Sequence, residues 1–395
     1  MSASPSEGSR RTLFAVIIGC TAIGPMSMHI LLPSLPGIRR IFAADFATVQ
    51  LTLTLYLVGL AVAQLAYGPL SDRFGRRPVL LVGLALYLGG SLICLLAPVI
   101  EALIVGRVVQ AVGGCAGLVL GRAIVRDVYG RERAASMLAY VTMAMVVAPM
   151  LSPTIGGFLD VWFGWWAIFA FLFAAGTVML VAVALFLPET RQAAPEISTP
   201  IEMARSFGRL LRMRAYLGYA FHLAFATSVW MSFVGGAPYV TIELLGRSPS
   251  EYGLYFISLS GMYAAGNFTA GRISQRVGTD RMIAWGVWIG IASMAILAAY
   301  VAAGALTPFT LFWPVAVLSF GQGLSLPNAM AGAVGVDPQR IGAASGLTGF
   351  LQMATAAACS YLVGAMLAGT AVPMVVMMSI LTVLAFAAPA LGNRK

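Results

Sequence analysis

A short charged turn occurs twice in this chain, each time between two long apolar runs. The first copy occupies 68–77 and the second occupies 271–281. Gly, Ser, Arg and Gly recur in both copies at the same offsets, which are positions 68/271, 71/274, 73/276 and 75/278. A turn repeated once between hydrophobic segments indicates a membrane protein built from two homologous halves, an architecture that secondary transporters commonly use.

Twelve apolar runs are long enough to cross a lipid bilayer, which takes roughly 20 residues of helix. The composition agrees, because 60% of the residues are hydrophobic and 10% are charged, whereas a soluble domain carries about 25% charged residues. A chain this apolar cannot cover a globule with polar surface, so lipid is its expected solvent. The predicted spans are 12–34, 48–70, 78–97, 101–125, 134–158, 165–187, 214–240, 252–271, 282–303, 308–333, 341–367 and 371–391.

The predicted fold is an all-α membrane protein with twelve transmembrane helices in two pseudo-symmetric six-helix bundles. The third, sixth, ninth and twelfth spans lack Asn, Gln, His and charged residues, whereas seven of the other eight contain at least one and the fifth is the exception. We therefore expect those four to face lipid and the others to face a shared interior. A charged linker separates the bundles, and we expect it to be partly helical over 201–211. The predicted parts are an N-terminal tail, 1–11, a first bundle, 12–187, a linker, 188–213, a second bundle, 214–391, and a C-terminal tail, 392–395.

Basic residues lie almost entirely at one end of the predicted helices, and only Arg39, Arg40 and Arg247 lie at the other end. The positive-inside rule therefore predicts that both termini, the linker and both turns are cytoplasmic. The expected location is a bacterial inner (cytoplasmic) membrane. The same topology signal accounts for the net charge of +10, so we expect no nucleic-acid partner.

Residues suited to covalent or metal chemistry are sparse in this sequence. The four cysteines all fall inside apolar spans, and the sequence contains no CxxC motif and no His/Cys cluster. Buried thiols of this kind are typical packing residues. The sequence contains no nucleotide-binding loop or hydrolytic constellation either, so we predict that the protein is not an enzyme and has no metal or cofactor.

The first copy of the turn fits G-x-L-x-D-R-x-G-R-R, and in this it resembles the cytoplasmic signature of the major facilitator superfamily at nearly every position. The fourth span carries RVVQ at 107–110, which is similar to the family's R-x-x-Q-G signature with Ala111 in place of Gly. The fifth span resembles the antiporter motif G-x-x-x-G-P-x-x-G-G, with Ala and Ser replacing two Gly. The stretches that further resemble the Bcr/CflA-type drug-resistance subfamily of proton-coupled exporters are 67–72, 121–127 and 327–329.

The resemblance implies that the turn is a latch that holds the outward-facing state. The alternative is a solvated topology signal, although topology alone would not require this spacing of Gly and Asp. In the second copy Gln275 replaces Asp72, so we expect a weaker latch there. The predicted latch residues are Gly68, Asp72, Arg73, Gly75, Arg76, Arg77 and Asp127. The antiporter-like motif implies close helix packing by Ala148, Pro149, Ser152, Pro153, Gly156 and Gly157.

Arg107 is the charge that the sequence places well inside a span. A buried Arg costs several kcal/mol unless it is paired, so we interpret Arg107 as functional, and the resemblance implies substrate binding or proton coupling. The alternative is a structural Arg satisfied by backbone carbonyls and neighbouring helices. Gln110 lies one turn further on and is expected to share that face.

His29 is the main departure from the subfamily pattern. It stands where these drug exporters typically have Asp, and no Asp or Glu lies in the middle of any predicted span. A proton antiporter needs a group that titrates near physiological pH, and His is such a group. Two hypotheses stay open with equal weight: His29 carries the proton, or it is a neutral hydrogen-bonding residue and coupling lies elsewhere or is lost. We interpret His222, the second His, as structural or interfacial.

Further candidates for lining a central cavity are mostly aromatic, although aromatic residues in membrane helices are more often core or interface residues. These candidates are Tyr56, Trp230, Phe233, Asn328 and Gln352. Gln352 lies on a polar face of the eleventh span that either lines the interior or is a packing seam.

The predicted function is export of small amphipathic compounds, such as amphenicols or bicyclomycin-like drugs, by proton antiport and alternating access. Neutral or anionic substrates are favoured over cations, because strong cation efflux usually needs a buried negative charge. The alternatives are an exporter or importer of a small metabolite, such as a sugar or amino-acid derivative, and a transport-inactive membrane receptor. The expected partners are a small-molecule substrate, protons and the lipid bilayer, and we expect a monomer.

Overall fold

The computed structural model describes residues 7–191, 200–337, 340–367 and 369–391, and the regular secondary structure of these ranges is helical. The predicted tail at 392–395 lies outside the described residues. The α-helices are α1 Glu7–Ile30, α2 Leu35–Ile41, α3 Phe46–Phe74, α4 Arg76–Leu95, α5 Ile100–Phe163, α6 Trp166–Phe186, α7 Pro200–Leu210, α8 Arg214–Pro238, α9 Pro249–Val277, α10 Thr279–Ala302, α11 Pro308–Gly335, α12 Ile341–Met366 and α13 Val372–Ala387. Short 3₁₀ segments occupy Leu32–Ser34 and Ala388–Leu391, and a π-helical segment, Tyr239–Leu244, follows α8.

The repeated turn has the same geometry in both halves. Gly75 joins α3 to α4 with a φ of 97°, and Gly278 joins α9 to α10 with a φ of 92°. L side chains rarely adopt this φ, so glycine is the residue that permits such an abrupt connection between two helices. The paired turns place the same helix–glycine–helix unit once in each half.

Two boundaries differ from the sequence-based prediction. α1 begins at Glu7, inside the predicted tail, so the helix extends beyond the apolar run that was predicted to begin at residue 12. Helical structure is also unbroken over the 64 residues of α5, where the sequence predicted two spans separated at 126–133. That polar segment contains no proline, so its composition does not require a break in helical hydrogen bonding.

The chain nevertheless reverses direction within α5. The contacts of α5 along α1 are, in chain order, Arg107 beside Ser27, Gly117 beside Cys20 and Gly156 beside Ile30. The first part of α5 therefore runs antiparallel to α1. The last part of α5 returns to the same end of α1 at which α5 begins. α5 supplies two membrane spans, and the helix count is consistent with twelve.

By length and composition, ten helical stretches of the described chain are apolar enough to cross a membrane. The share of buried residues in these stretches follows the predicted division between lipid-facing and interior helices. It is 28–44% for α4, α6, α10 and α13, against 61–67% for the stretches in α1, α3, the first part of α5, α8 and α11. α12 is the exception at 33%, although it carries the polar face described above.

The apolar core is divided differently at the two ends of the molecule. Around Ile30, Phe46, Val234 and Phe256, buried side chains of both halves form one cluster. Near the repeated turns, the fully buried side chains of the first half and of the second half form separate clusters. We call the first region the sealed end and the second the signature end.

Candidate functional site

Arg107 lies on α5 in the interior of the first half, with 1% of its surface exposed. Its Nη1 donates to the carbonyl of Ser27 at 2.9 Å and to Oε1 of Gln110 at 2.6 Å. The guanidinium carbon lies 4.2 Å from the ring centroid of Tyr56. A carbonyl, an amide and an aromatic face thus stabilise the charge, and none of these partners is a carboxylate.

Gln110 extends this arrangement into a network that joins α1, α4 and α5. Its Nε2 donates to Oγ of Ser91 at 2.8 Å, and Ser91 donates to the carbonyl of Tyr87 at 2.8 Å. The hydroxyl groups of Tyr87 and Ser27 lie 2.7 Å apart. Hydrogen bonds in such a low-dielectric interior strengthen one another, so the network holds the Arg107 side chain in one position.

The structure brings Arg107, Gln110 and Tyr56 together, whereas the sequence predicted a shared face only for Arg107 and Gln110. It adds Ser27, Tyr87 and Ser91, for which the sequence carries no comparable signal, because Ser and Tyr are common in membrane helices. The bond to the Ser27 carbonyl satisfies the condition for a structural Arg, and a role of Arg107 in transport stays a prediction.

His29 lies near the end of α1 at the sealed end, with 4% of its surface exposed. Its Nδ1 lies 3.0 Å from the carbonyl of Pro25 and donates to it, because a carbonyl can only accept. Its Nε2 is buried and has no hydrogen-bond partner among the described residues. The ring faces Phe256 of α9, with 6.3 Å between centroids, so His29 is enclosed between the two halves.

Phe256 belongs to an aromatic cluster in the second half. The ring of Trp230 lies 5.4 Å from that of Phe256 and 6.2 Å from that of Phe233. The cluster also contains Tyr252, Tyr255 and Phe312. Two of the predicted cavity residues are therefore connected to His29 through Phe256, a residue that no sequence motif distinguishes.

Among the described residues, Asn328 and Gln352 form no hydrogen bond to the Arg107 network or to the aromatic cluster. Asn328 on α11 donates to the carbonyl of Leu324 in its own helix at 2.8 Å. Gln352 on α12 donates to Oγ1 of Thr227 on α8 at 3.0 Å. Both hydrogen bonds lie within the second half, so these two amides contribute to its internal packing in this structure.

The latch residues of the first turn converge on Arg76. Its guanidinium bonds Asp72 at 2.6 Å, Asp127 on α5 at 3.1 Å and Oγ of Ser71 at 2.5 Å. Ser71 in turn donates to the carbonyl of Gly68 at 2.9 Å. All of these partners belong to the first half, so the turn ties α3, α4 and α5 together at the signature end.

Glu189, which lies just after α6, caps the N-terminus of α4 beside the turn, and no sequence motif distinguishes it as a site residue. Its carboxylate accepts from the backbone N–H of Arg76 at 2.9 Å and of Arg77 at 3.2 Å, at the N-terminus of α4. It also accepts from the N–H of Arg191 at 2.9 Å. Partial burial opposes ionisation, but these N–H groups hold the pKa of Glu189 below its usual value.

The remaining latch side chains lie around this capped helix end. Arg73 lies over the ring of Phe74, and its carbonyl accepts from Arg191 at 2.9 Å. Arg77 donates to the carbonyl of Ala184 on α6 at 2.7 Å. The turn is therefore attached to the start of the linker by Glu189 and Arg191.

The antiporter-like motif lies in the last part of α5, where it contacts both halves. Gly156 lies directly against the carbonyl of Ile30, and Gly157 against that of Pro249 at the start of α9. A Cβ added at Gly253 would lie 2.7 Å from the carbonyl of Pro153. The other small residues of the motif, Ala148 and Ser152, are joined by a side-chain-to-carbonyl bond beside Pro149. The motif thus permits close contact between α5 and its neighbours.

Among the described residues, three hydrogen-bonded contacts cross between the halves at the sealed end. Arg39 donates to Glu243 at 2.8 Å, Gln50 donates to Ser360 at 2.8 Å, and Thr154 donates to the carbonyl of Gly253 at 2.7 Å. These pairs are more than 90 residues apart in the chain, and no spacing rule connects them. The sequence carries no motif that distinguishes these residues as site residues.

Comparison with known proteins gives a consistent result. The model of the Major Facilitator Superfamily matches residues 17–360. An uncharacterized MFS-type transporter, YdgK of Bacillus subtilis, is 33% identical over 390 residues, covering 95% of this chain and 94% of the relative. The bicyclomycin resistance protein homolog of Haemophilus influenzae is 30% identical over 390 residues, covering 95% of each chain.

A solved structure supports the same fold. The bacterial homolog of the human lysosomal transporter Spinster, in an inward-facing and occupied conformation, superposes with a TM-score of 0.77 at 16% identity, covering 98% of this chain and 97% of that one. The repeated turns, the two helical halves and the family match over most of the chain agree with one another. This chain is a multi-pass membrane transporter of the Major Facilitator Superfamily, and not an enzyme.

Proposed function

We propose that this transporter exports small amphipathic compounds, drugs foremost, by proton antiport with alternating access. The observation that carries the proposal is the match along 95% of the chain to a relative named for bicyclomycin resistance. The presence of both the latch turn and Arg107 supports an active transporter over a transport-inactive receptor, because the family resemblance links both to the transport cycle.

The proposal orients the molecule with its signature end in the cytoplasm of a bacterium, as the basic residues predict. The two halves then meet at the periplasmic end and separate towards the cytoplasm, which corresponds to an inward-facing state. The latch side chains bond within the first half in this state, and in the proposed cycle they engage the second half when the cytoplasmic end closes.

Proton coupling is assigned to His29 in this proposal. Its Nε2 is buried at the boundary between the halves and has no partner among the described residues, so opening of the sealed end brings it to water. A titratable group that alternates between enclosure and water can take up a proton on one side and release it on the other.

The absence of a carboxylate among the Arg107 partners favours neutral or anionic substrates over cations. It also keeps a metabolite transporter as the second candidate, because a sugar or amino-acid derivative needs the polar and cationic groups that this network offers.

The test is a susceptibility panel in an efflux-deficient bacterium that expresses the chain, with amphenicols, bicyclomycin, sulfonamides and lipophilic cations. We expect raised resistance to the neutral drugs and its loss, by about tenfold or more, in Arg107→Lys, because an ammonium cannot replace the planar guanidinium at this site. Arg272→Lys is the matched control, since Arg272 also lies over a ring, that of Phe268 at 4.3 Å, but at an exposed position.

Unchanged susceptibility across the panel, with the protein present in the membrane, would refute drug export and favour the metabolite transporter. Resistance that survives Arg107→Lys would support drug export but remove Arg107 from its mechanism.

A further inference from the structure

Gln50 of α3 inserts its side chain between α8 and α12 of the other half at the sealed end. Its Nε2 donates to Oγ of Ser360 on α12 at 2.8 Å. Both residues are fully buried. This hydrogen bond joins positions 310 residues apart and lies wholly inside the interface that must separate when the sealed end opens.

Two glycines form the space that the Gln50 side chain occupies. A Cβ added at Gly364 of α12 would lie 2.6 Å from Cγ of Gln50, and one added at Gly235 of α8 would lie 2.7 Å from its Nε2. The Cβ added at Gly235 would also lie 2.6 Å from Oγ of Ser360. Real side chains do not approach this closely, so the fit depends on glycine at both positions.

The fit is close in shape but incomplete in hydrogen bonding. Oε1 of Gln50 is buried without a partner among the described residues. The hydroxyls of Thr54, one turn further along α3, and of Ser232, on α8, are likewise buried and unpartnered. Polar atoms of this kind regain hydrogen bonds when water reaches them, so they favour opening while the packing of Gln50 favours closure.

We propose that Gln50 and the pocket formed by Gly235, Ser360 and Gly364 are a plug and socket that set the balance between the sealed and open states. The plug holds the halves together by shape and one hydrogen bond. Its unpartnered oxygen keeps the closed state from becoming too stable to open. This inference rests on the alternating access of the proposed function, but not on the substrate or on protons.

The test is a distance measurement by pulsed electron paramagnetic resonance on the full chain in lipid, without drug and at one pH. Spin labels are attached at Ile41→Cys and Arg247→Cys, which are exposed positions of opposite halves at the sealed end, after the native cysteines are replaced. Wild type should show mainly the short distance. Gly364→Ala should raise the population with the longer distance by about tenfold, because the added Cβ overlaps the plug.

Gly346→Ala is the matched control, because Gly346 lies on the same helix and an added Cβ there meets nothing within 4 Å. Gln50→Ala removes the plug and its hydrogen bond, and it should also raise the long-distance population. In the double variant Gln50→Ala/Gly364→Ala, Cγ and Cδ of Gln50 no longer collide with the added Cβ. Its long-distance population should therefore rise by less than the sum of the rises in the two single variants.

A Gly364→Ala distribution that matches the Gly346→Ala control would overturn the plug and socket. If Gly364→Ala does not fold, an unchanged distribution in Gln50→Ala would overturn it as well. Since no drug or proton gradient is present, either result leaves the export proposal to be judged by the susceptibility panel.

Discussion

At the scale of single residues, buried polar groups in this protein differ in how completely they are satisfied. Arg107 keeps a charge among apolar helices because a carbonyl, an amide oxygen and a tyrosine ring surround it. His29 and His222 each use Nδ1 on a backbone carbonyl and leave Nε2 buried without a partner among the described residues. His222 is bonded to Ala385 of its own half, whereas His29 faces the other half.

This difference makes the two histidines a matched pair for testing proton coupling. We expect His29→Gln to lower drug-driven proton release from proteoliposomes by about a hundredfold, the effect of losing a positioned proton-transfer group. Gln retains a hydrogen-bond donor for the carbonyl but cannot titrate. His222→Gln should leave proton release close to wild type. Full coupling in His29→Gln would show that the proton is carried elsewhere.

At the scale of helices and turns, the signature turn depends on a cap that comes from outside it. Glu189 accepts from two N–H groups at the start of α4, where a negative charge is favoured by the helix dipole. Because these bonds hold the pKa of Glu189 below its usual value, the carboxylate stays charged at neutral and mildly acidic pH. Its contribution to stability is lost when the pH falls through that lowered pKa.

The repeat provides an internal control for this contact. An added Cβ at Gly75 would lie 2.5 Å from Oε2 of Glu189, whereas at Gly278 it would meet nothing within 4 Å. Both glycines have a φ above 90°, so each Ala variant carries about 1–3 kcal/mol of backbone strain. Gly75→Ala should therefore lower the melting temperature and the resistance more than Gly278→Ala. Equal losses in the two variants would show that the Glu189 contact is unimportant.

At the scale of the whole molecule, polar pairs and a shared apolar cluster of described residues join the two halves at the sealed end. Arg39 and Glu243 form such a pair, with 38% and 21% of their side chains exposed. A partly exposed ion pair contributes about 0–1 kcal/mol. Because this pair joins opposite halves, we expect that energy to bear on the opening of the sealed end.

Reversing one charge of this pair should therefore loosen the sealed end. We expect Glu243→Arg and Arg39→Glu to speed hydrogen–deuterium exchange in α2 and in the π-helical segment, because like charges then face each other. The double swap should restore slow exchange. Arg247→Glu disrupts an ion pair with Glu251 inside the second half and is the control expected to have little effect. Single swaps with wild-type exchange would contradict this role.

Most of the fold was accessible from the sequence because lipid imposes a simple pattern on the chain. A helix must satisfy its own backbone in the bilayer, so the lengths of apolar runs predict the spans and the repeated turn predicts the halves. The sequence predicted Asp72, Arg76 and Asp127 as latch residues, but it did not predict that both carboxylates bond Arg76. The roles of the turn, of Arg107 and of His29 in transport stay predictions.

The sequence by itself determined the class of protein, its repeated halves and the residues of its signature turn, because these follow from local composition and spacing. Only the tertiary structure decided which distant side chains meet: Glu189 with the start of α4, His29 with Phe256, and Gln50 with Ser360. These contacts join segments far apart in the chain, and they depend on how two rigid halves are packed in one conformational state. The pairing of such surfaces is set by shape and by the few polar groups at the interface, which a single sequence read along its length does not reveal.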